Sequence, residues 1–377
     1  MHDLVNLAVD LRSDRFNAEN CARAVESISA AGFSVERLQS GPDPFLAWID
    51  MEFGGAWSSE ALAGKNLIVR SGRRYAAFAT YDPQGVSYAW LRGAAQEPGT
   101  GVFGPFGVAP EFRGSPLGEN VLVATLCALR EAGYARALIP AVGEGALVQY
   151  YARACDAEVV ERFDGAHFTS KRYRTVVLAS GNGSNFQSVI DGVAAGDIPL
   201  DLALLLTNRA NAYALERAGI AGVAHVAFPW DRKAQSRAEY DRALLEIVRR
   251  EEPDLLLLLG WMHVLDDVFV AAHPHTINIH PAFLPLDQRR DEVGFPDGSV
   301  TPAFRGAHAV RDALAWGSRW VGASCHRVTL EADRGPVLTR KPLAIAPGET
   351  EEAILDRLHP LEHRVLAGGI RRWVFER

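Results

Sequence analysis

Five consecutive leucines, Leu255–Leu259, constrain this chain more than any other stretch. A strand with one wet face alternates apolar and polar residues, so an unbroken apolar run of this length, Asp254–Leu259, reads as a fully buried parallel strand. It sits in a repeating rhythm. The strand pattern Arg174–Ala179 is followed by the turn Gly181–Asn185 and the helical pattern Phe186–Ala194. Strand Leu200–Leu206, a helix near Ala212–Ala218, strand Val223–Phe228 and a helix from about Ala238 to Arg250 precede the leucines. Helix Ala307–Ala315, strands near Ala323–Val328 and Val337–Leu343, and a last helix from about Thr350 come after them. Such β-loop-α units predict an α/β fold with a doubly wound parallel sheet.

Open α/β sheets place their sites at the carboxyl ends of strands. There the run Thr276–Pro285 sets Asn278 and His280 two residues apart, and strand alternation sends both to one face. Asp333 lies in a Gly-Pro turn, Glu331–Pro336, between two more strand patterns. An Asn/His/Asp set can perform acyl transfer without a metal; the bland alternative is a turn histidine beside a buried amide. The turn Gly181, Asn182, Gly183, Ser184 and Asn185 before a helix presents N–H groups suited to a phosphate.

The first half is less regular. A helix near Ala18–Ala31 and strands near Asn66–Val69, Tyr75–Thr80 and Val86–Leu91 lead to Val102–Val108. A Gly/Pro turn, a helix from Glu119 to about Ala132 and strand Ala137–Pro140 follow, which predicts an α+β domain with a mixed sheet. A polar stretch, Asp164–Tyr173, separates the halves, and 377 residues suit two domains. The net charge of −7 argues against a general nucleic-acid surface. No apolar run approaches the roughly 18 residues of a membrane span, and the start carries no basic-then-apolar leader pattern. Cys21, Cys127, Cys155 and Cys325 are scattered without a C-x-x-C pair, which suits a reducing cytoplasm. No H-E-x-x-H or histidine–carboxylate cluster signals a metal.

Two resemblances sharpen these expectations. The segment Gly107–Gly118, with Tyr150–Val160 downstream, resembles the acyl-CoA loop and closing helix and strand of the GNAT acetyltransferases. The resemblance implies a GNAT-like domain over residues 1–168, with acyl-CoA held by Val108, Arg113, Gly114 and Gly118. Pro116 stands where that pattern has its middle glycine. Proline has no N–H to donate, so one phosphate contact is missing and the site reads as degenerate.

The second half, 174–377, resembles the glycinamide ribonucleotide transformylases, which are folate-dependent formyltransferases. The likeness runs through Ala179–Asn185, Thr207–Ala212, Leu259–Met262, Asn278–Pro281 and Asp333–Val337. It implies formyl transfer from 10-formyltetrahydrofolate to a primary amine, with Asn278, His280 and Asp333 catalytic. Met262, His263, Val264 and Leu265 would meet the folate together with Leu330, Glu331 and Ala332. Gly181–Asn185 and Glu362 would hold the acceptor, and Ser324 and His326 would lie near its amine. Arg237 matches a family arginine, while His263 and His359 stand where relatives carry arginine and glutamine.

The chain departs from that family between Pro285 and Arg305, where a polar insertion, Leu286–Pro302, reads as a lid, a specificity loop or a solvated excursion. Its Arg289 and Arg290 are candidates to meet an anionic substrate. The acceptor is thus a small, anionic amine: glycinamide ribonucleotide or a specialised biosynthetic amine. A bifunctional acetyl- and formyltransferase comes second, and a folate- or CoA-sensing binding protein third. Methionyl-tRNA formylation is disfavoured, because no basic RNA-binding segment closes the sequence.

Overall fold

The computed structural model describes residues 3–164 and 170–377. The chain divides into two compact units, residues 1–168 with 375–377 and residues 169–374. The expected linker falls partly on 165–169, outside the described residues, and its last residue, Tyr173, is already buried in a strand.

The N-terminal unit runs β1 (Leu4–Asp10), α1 (Ala18–Ala30), β2 (Ser34–Leu38), α2 (Asp43–Glu52), α3 (Trp57–Ala63), β3 (Lys65–Ser71) and β4 (Arg74–Tyr81). It continues with β5 (Thr100–Val108), α4 (Leu117–Glu131), β6 (Arg136–Gly143), α5 (Ala146–Cys155) and β7 (Glu158–Phe163). The strands form one sheet in the order β2-β3-β4-β5-β6-β1-β7. β5 alternates buried and half-buried residues along its length, as a strand with one face on the core must. It pairs with β6 in parallel only from Thr100 to Val102, while its later residues pair with β4 out to Val108. The predicted strand Val86–Leu91 is absent; Ala89–Leu91 forms a single 3₁₀ turn instead. Cys21 on α1 and Cys127 on α4 form a disulfide, which does not suit the reducing surroundings expected from four scattered cysteines. A separation of 106 residues hides that pairing from any local spacing rule.

The C-terminal unit runs β8 (Tyr173–Ala179), α6 (Ser184–Ala194), β9 (Leu200–Thr207), α7 (Ala214–Ile220), β10 (His225–Ala227), α8 (Arg237–Arg249) and β11 (Leu255–Leu258). Then come α9 (Asp267–Ala272), β12 (Thr276–His280), β13 (Glu292–Gly294), β14 (Val300–Pro302), α10 (Ala309–Trp316), β15 (Trp320–Arg327), β16 (Val337–Ala344) and α11 (Glu351–Phe375). The main sheet has the order β10-β9-β8-β11-β12-β15-β16.

The leucine run is the inner strand the sequence called for. β11 lies between β8 and β12, parallel to both. Leu255, Leu257 and Leu259 enter the core on one side of the sheet, Leu256 and Leu258 the core on the other. Each leucine removed from water stabilises the unit by roughly 1.5–3 kcal/mol, which only a strand covered on both faces can collect. The sheet is not wholly parallel, however. β15 runs antiparallel to β12 and β16 antiparallel to β15, so the doubly wound expectation is corrected to a mixed sheet. The connection from β12 to β15 is long and carries β13, β14 and α10, so the antiparallel pairing is made between strands remote in the chain. α11 covers this antiparallel edge at very close range: a Cβ on Gly369 would lie 2.2 Å from Cys325 Sγ. Among the described residues, no helix is long and apolar enough to cross a membrane.

Candidate active site

β12 brings Asn278 and His280 to the sheet's edge of parallel order, and the antiparallel neighbour sets His326 opposite Asn278 and Ser324 opposite His280. The turn before β16 folds Asp333 over them in a left-handed conformation, φ +53°. One Asp333 oxygen lies 3.4 Å from Asn278 Nδ2 and 3.4 Å from His326 Nε2. The other lies 3.6 Å from His280 Nδ1 and accepts the Gly306 N–H at 3.2 Å. The aspartate therefore unites the β12 pair, Asn278 and His280, with His326 on β15.

Each imidazole is fixed by a main-chain carbonyl. His280 is buried and its Nε2 donates to the Phe304 carbonyl at 2.9 Å, which leaves Nδ1 facing the carboxylate. Burial pushes its pKa down, against the pull of Asp333 and the Phe304 carbonyl. His326 Nδ1 lies 2.9 Å from the Arg327 carbonyl, so Nε2 is the nitrogen turned to Asn278 Nδ2 at 3.2 Å. Burial alone raises the Asp333 carboxyl. The hydrogen bond from His326, the charges of His280 and His326 and the Gly306 N–H outweigh that and bring it to about 2. Asp333 is a carboxylate at neutral pH, held between two imidazoles and a main-chain N–H.

A second cluster lies at the start of α6. Gly183 adopts φ +76°, and a Cβ there would come within 2.8 Å of Ala214, so the turn admits only glycine without displacement. Arg217 braces the turn, donating from Nε to the Asn182 carbonyl at 2.9 Å and from Nη2 to the Asn182 side chain at 3.0 Å. Asn185 Nδ2 is 3.5 Å from Glu362 on α11, whose carboxyl is pushed by burial to about 7 despite that contact. No side chain caps α6, so the N–H groups at its start remain open to an anion. His359, three residues before Glu362, is exposed.

The apolar wall expected for folate is accessible: Met262, Val264 and Leu330 are large apolar side chains left exposed. The Met262 N–H donates to Ser180 Oγ at 3.0 Å, which ties this loop to the end of β8. His263 and Leu265 are half-buried, and Glu331 and Ala332 are exposed in the turn that carries Asp333. Burial, together with Arg237, lowers the His263 pKa.

Several predicted residues are occupied elsewhere. Ser324 is fully buried; its hydroxyl donates to the Ala282 carbonyl at 2.8 Å and accepts the Leu284 N–H at 2.9 Å. It stitches the loop after β12 to the sheet, and both of these bonds are to main-chain groups. Arg237 spends Nε on both oxygens of Asp241, at 2.8 and 2.7 Å. Arg289 pairs with Asp287 inside its own loop. The insertion is no solvated excursion, because β13 and β14 form a hairpin whose Phe295 is buried. Conversely, Phe304, Arg305 and Gly306 all touch the Asn/His/Asp set through main-chain or side-chain polar groups, and sequence reasoning missed them. Only the glycine beside a basic residue just before α10 hinted at a close backbone approach.

In the N-terminal unit, Arg113 Nε turns back onto the Val108 carbonyl at 3.0 Å. Gly114 takes φ +76°, and Gly118 faces Val108 and Tyr150. Pro116 caps α4 with no side-chain hydrogen bond to it. A separate cavity of about 640 Å³ in this unit is walled by Asp10 and Arg136, already paired with Arg12 and Glu97.

The formyl transferase family pattern matches residues 173–286 and 297–370. The phosphoribosylglycinamide formyltransferase of Escherichia coli K12 is 34% identical over 194 residues, which are 50% of this chain and 82% of that protein. This chain belongs to the formyl transferase family. The Bacillus subtilis phosphoribosylglycinamide formyltransferase is 31% identical over 189 residues, covering 50% of this chain and 88% of its own length. The crystal structure of glycinamide ribonucleotide transformylase 1 from Symbiobacterium toebii shares 34% identity, spans 54% of this chain and 88% of its own, and superposes with a TM-score of 0.47. The formyltransferase match skips residues 287–296, which hold β13 and the buried Phe295.

Proposed function

We propose that the C-terminal unit transfers the formyl group of 10-formyltetrahydrofolate to the primary amine of a small anionic acceptor, with glycinamide ribonucleotide the first candidate. The observation that carries this reading is the convergence of Asn278, His280 and His326 on one carboxylate at the end of β12. Attack of the amine on the formyl carbon forms a C–N bond and leaves a tetrahedral carbon bearing an oxyanion and an ammonium. The Asn278 amide gives the oxyanion the N–H that otherwise makes its longer contact, 3.4 Å to Asp333. Asp333 takes the ammonium proton, and His280 Nδ1 stabilises it as it does so. That proton then returns to the departing folate nitrogen as its bond to carbon breaks, leaving the formamide and tetrahydrofolate.

His280 has both nitrogens turned into the protein, so its role is to hold and share charge with Asp333 rather than to contact the oxyanion. The exposed Met262, Val264 and Leu330 suit a flat pterin. The open start of α6 suits an acceptor phosphate, with Glu362 beside it. The test is to incubate the protein with 10-formyltetrahydrofolate and glycinamide ribonucleotide, then other amines, and follow tetrahydrofolate release. Folate binding without transfer to any amine would sink the enzyme reading.

A second reading adds acyl-CoA at the N-terminal unit, as in a GNAT domain. The early end of β5–β6 pairing at Val102, followed by the Gly114 turn and α4, favours it. The missing Pro116 N–H weighs against it. Calorimetry with acetyl-CoA separates the two.

A further inference from the structure

The hairpin that interrupts the family pattern is wired to the aspartate at the centre of the site. The Asp291 carboxylate accepts a close bond from Arg334 Nη2 and another from Arg305 Nη1 at 3.2 Å. Arg305 reaches on: Nη2 donates to the Arg290 carbonyl at 2.9 Å, and Nε donates to the main-chain carbonyl of Asp333 at 3.2 Å. Arg334, next to Asp333, donates from Nη1 to the Gln288 carbonyl at 3.2 Å. Arg305 also sits between Phe304, whose carbonyl accepts the His280 Nε2 hydrogen bond, and Gly306, whose N–H donates to the Asp333 carboxylate.

The hairpin is itself anchored on its other side. Phe295 stacks on Trp320 at 5.7 Å with an interplanar angle of 8°, and packs on Phe283 at 5.4 Å. Asp297 pairs with Arg319 at 2.8 Å. Trp320 opens β15, the strand that carries His326, so the hairpin bridges the sheet and the Asp333 turn. That turn needs a restraint, because a residue other than glycine at φ +53° is held only where its surroundings over-determine it.

We infer that the inserted hairpin is a positioning element for Asp333, acting through Arg305 and Arg334, with Asp291 as the shared clamp. The inference rests on the formyl-transfer reading for its kinetic consequence but not for its geometry. Arg305 and Asp291 are positioning residues; neither touches the reacting atoms. Asp291 is exposed, and ion pairs to an exposed carboxylate contribute little to stability, so the hairpin's value lies in the placement of Asp333. A displacement of about 1 Å at such a group costs up to about 10²-fold in rate.

The experiment compares Asp291→Ala, Asp291→Glu and Arg305→Met with the unaltered full chain. Arg305→Met should lower kcat by about 10²-fold and Asp291→Ala by about 10-fold, each with KM for donor and acceptor within about twofold. Asp291→Glu should restore most of the loss. A rise in KM at constant kcat would make the hairpin a substrate-contacting loop and overturn the inference, as would unchanged kcat. The ring signals of His280 and His326 in ¹H–¹³C spectra give a readout that needs no turnover. Asp291→Ala should move both at fixed pH, and unmoved signals overturn the inference. If the unaltered protein transfers no formyl group but these signals move, the catalytic reading fails while the positioning role stands.

Discussion

Each unit contains a strand, a glycine-bearing turn and a helix, and the two turns differ in what they leave unpaired. In the C-terminal unit, Gly181–Asn185 opens α6 with no side-chain cap, and Arg217 braces the turn from outside. In the N-terminal unit, Pro116 occupies the first position before α4, and Arg113 folds back onto Val108. A turn binds an anion through free N–H groups, not through its glycines as such. The comparison teaches that glycine content places a loop, while the donors left over decide whether it can hold a phosphate.

The largest effect should come from the chemistry of the C-terminal unit. Asn278→Ala and Asp333→Ala should each reduce kcat by about 10²–10³-fold or more while circular dichroism and folate affinity persist. Normal turnover in either would mean that the Asn278/His280/Asp333 set is not the centre of the proposed reaction. Next, Gly183→Ala meets both a left-handed backbone and Ala214, so acceptor KM should rise about 10-fold or more, at a stability cost of about 1–3 kcal/mol. An unchanged KM would mean the turn does not touch the acceptor.

Two smaller effects sharpen the picture. Glu362 has its carboxyl raised from 4.5 to about 7 by burial, so the folded state holds a proton that the unfolded chain releases. Its contribution is therefore fully present below about pH 4.5 and lost as pH rises through about 7. Glu362→Gln should remove that loss, giving a Tm advantage that grows across this window and corresponds to about 3 kcal/mol above it. Asp333 works in the opposite sense: its lowered carboxyl contributes stability above about pH 4 that disappears as pH falls towards about 2. Thermal unfolding of Asp333→Asn should lack that acid limb. Least of all, Pro116→Gly adds one donor, so acetyl-CoA affinity by calorimetry should rise about 5-fold. No change would show that the N-terminal turn differs from its counterpart by more than one N–H.

Much of the fold was legible where period and burial agree. Leu255–Leu259 announced an inner strand, and Asn278 with His280 announced a shared face. Asp333 was visible as a carboxylate in a Gly-Pro turn, but its place in the set was strengthened by the family resemblance, because nothing local says that a turn 55 residues from Asn278 closes over it. The antiparallel course of β15 and β16 was invisible, since apolar content does not encode strand direction. β13 and β14, three residues each, lie below the length at which alternation means anything. Val86–Leu91 looked strand-like from β-branched and aromatic residues, yet has no partner strand and closes into a 3₁₀ turn. Ser324 shows a related limit: its place opposite His280 is a matter of register, and its two hydrogen bonds to the main chain of the loop after β12 are not legible in the sequence.

The contact between Gly369 and Cys325 sets the depth of α11. Glu362 lies seven residues earlier, two turns along the same face and about 10 Å away. With any side chain at 369 the helix would stand off from the sheet and draw Glu362 back from Asn185. A pair of atoms buried behind the sheet thus governs the spacing of Glu362 and Asn185, and on the proposed reading variation there would retune acceptor choice without altering a residue that meets the acceptor.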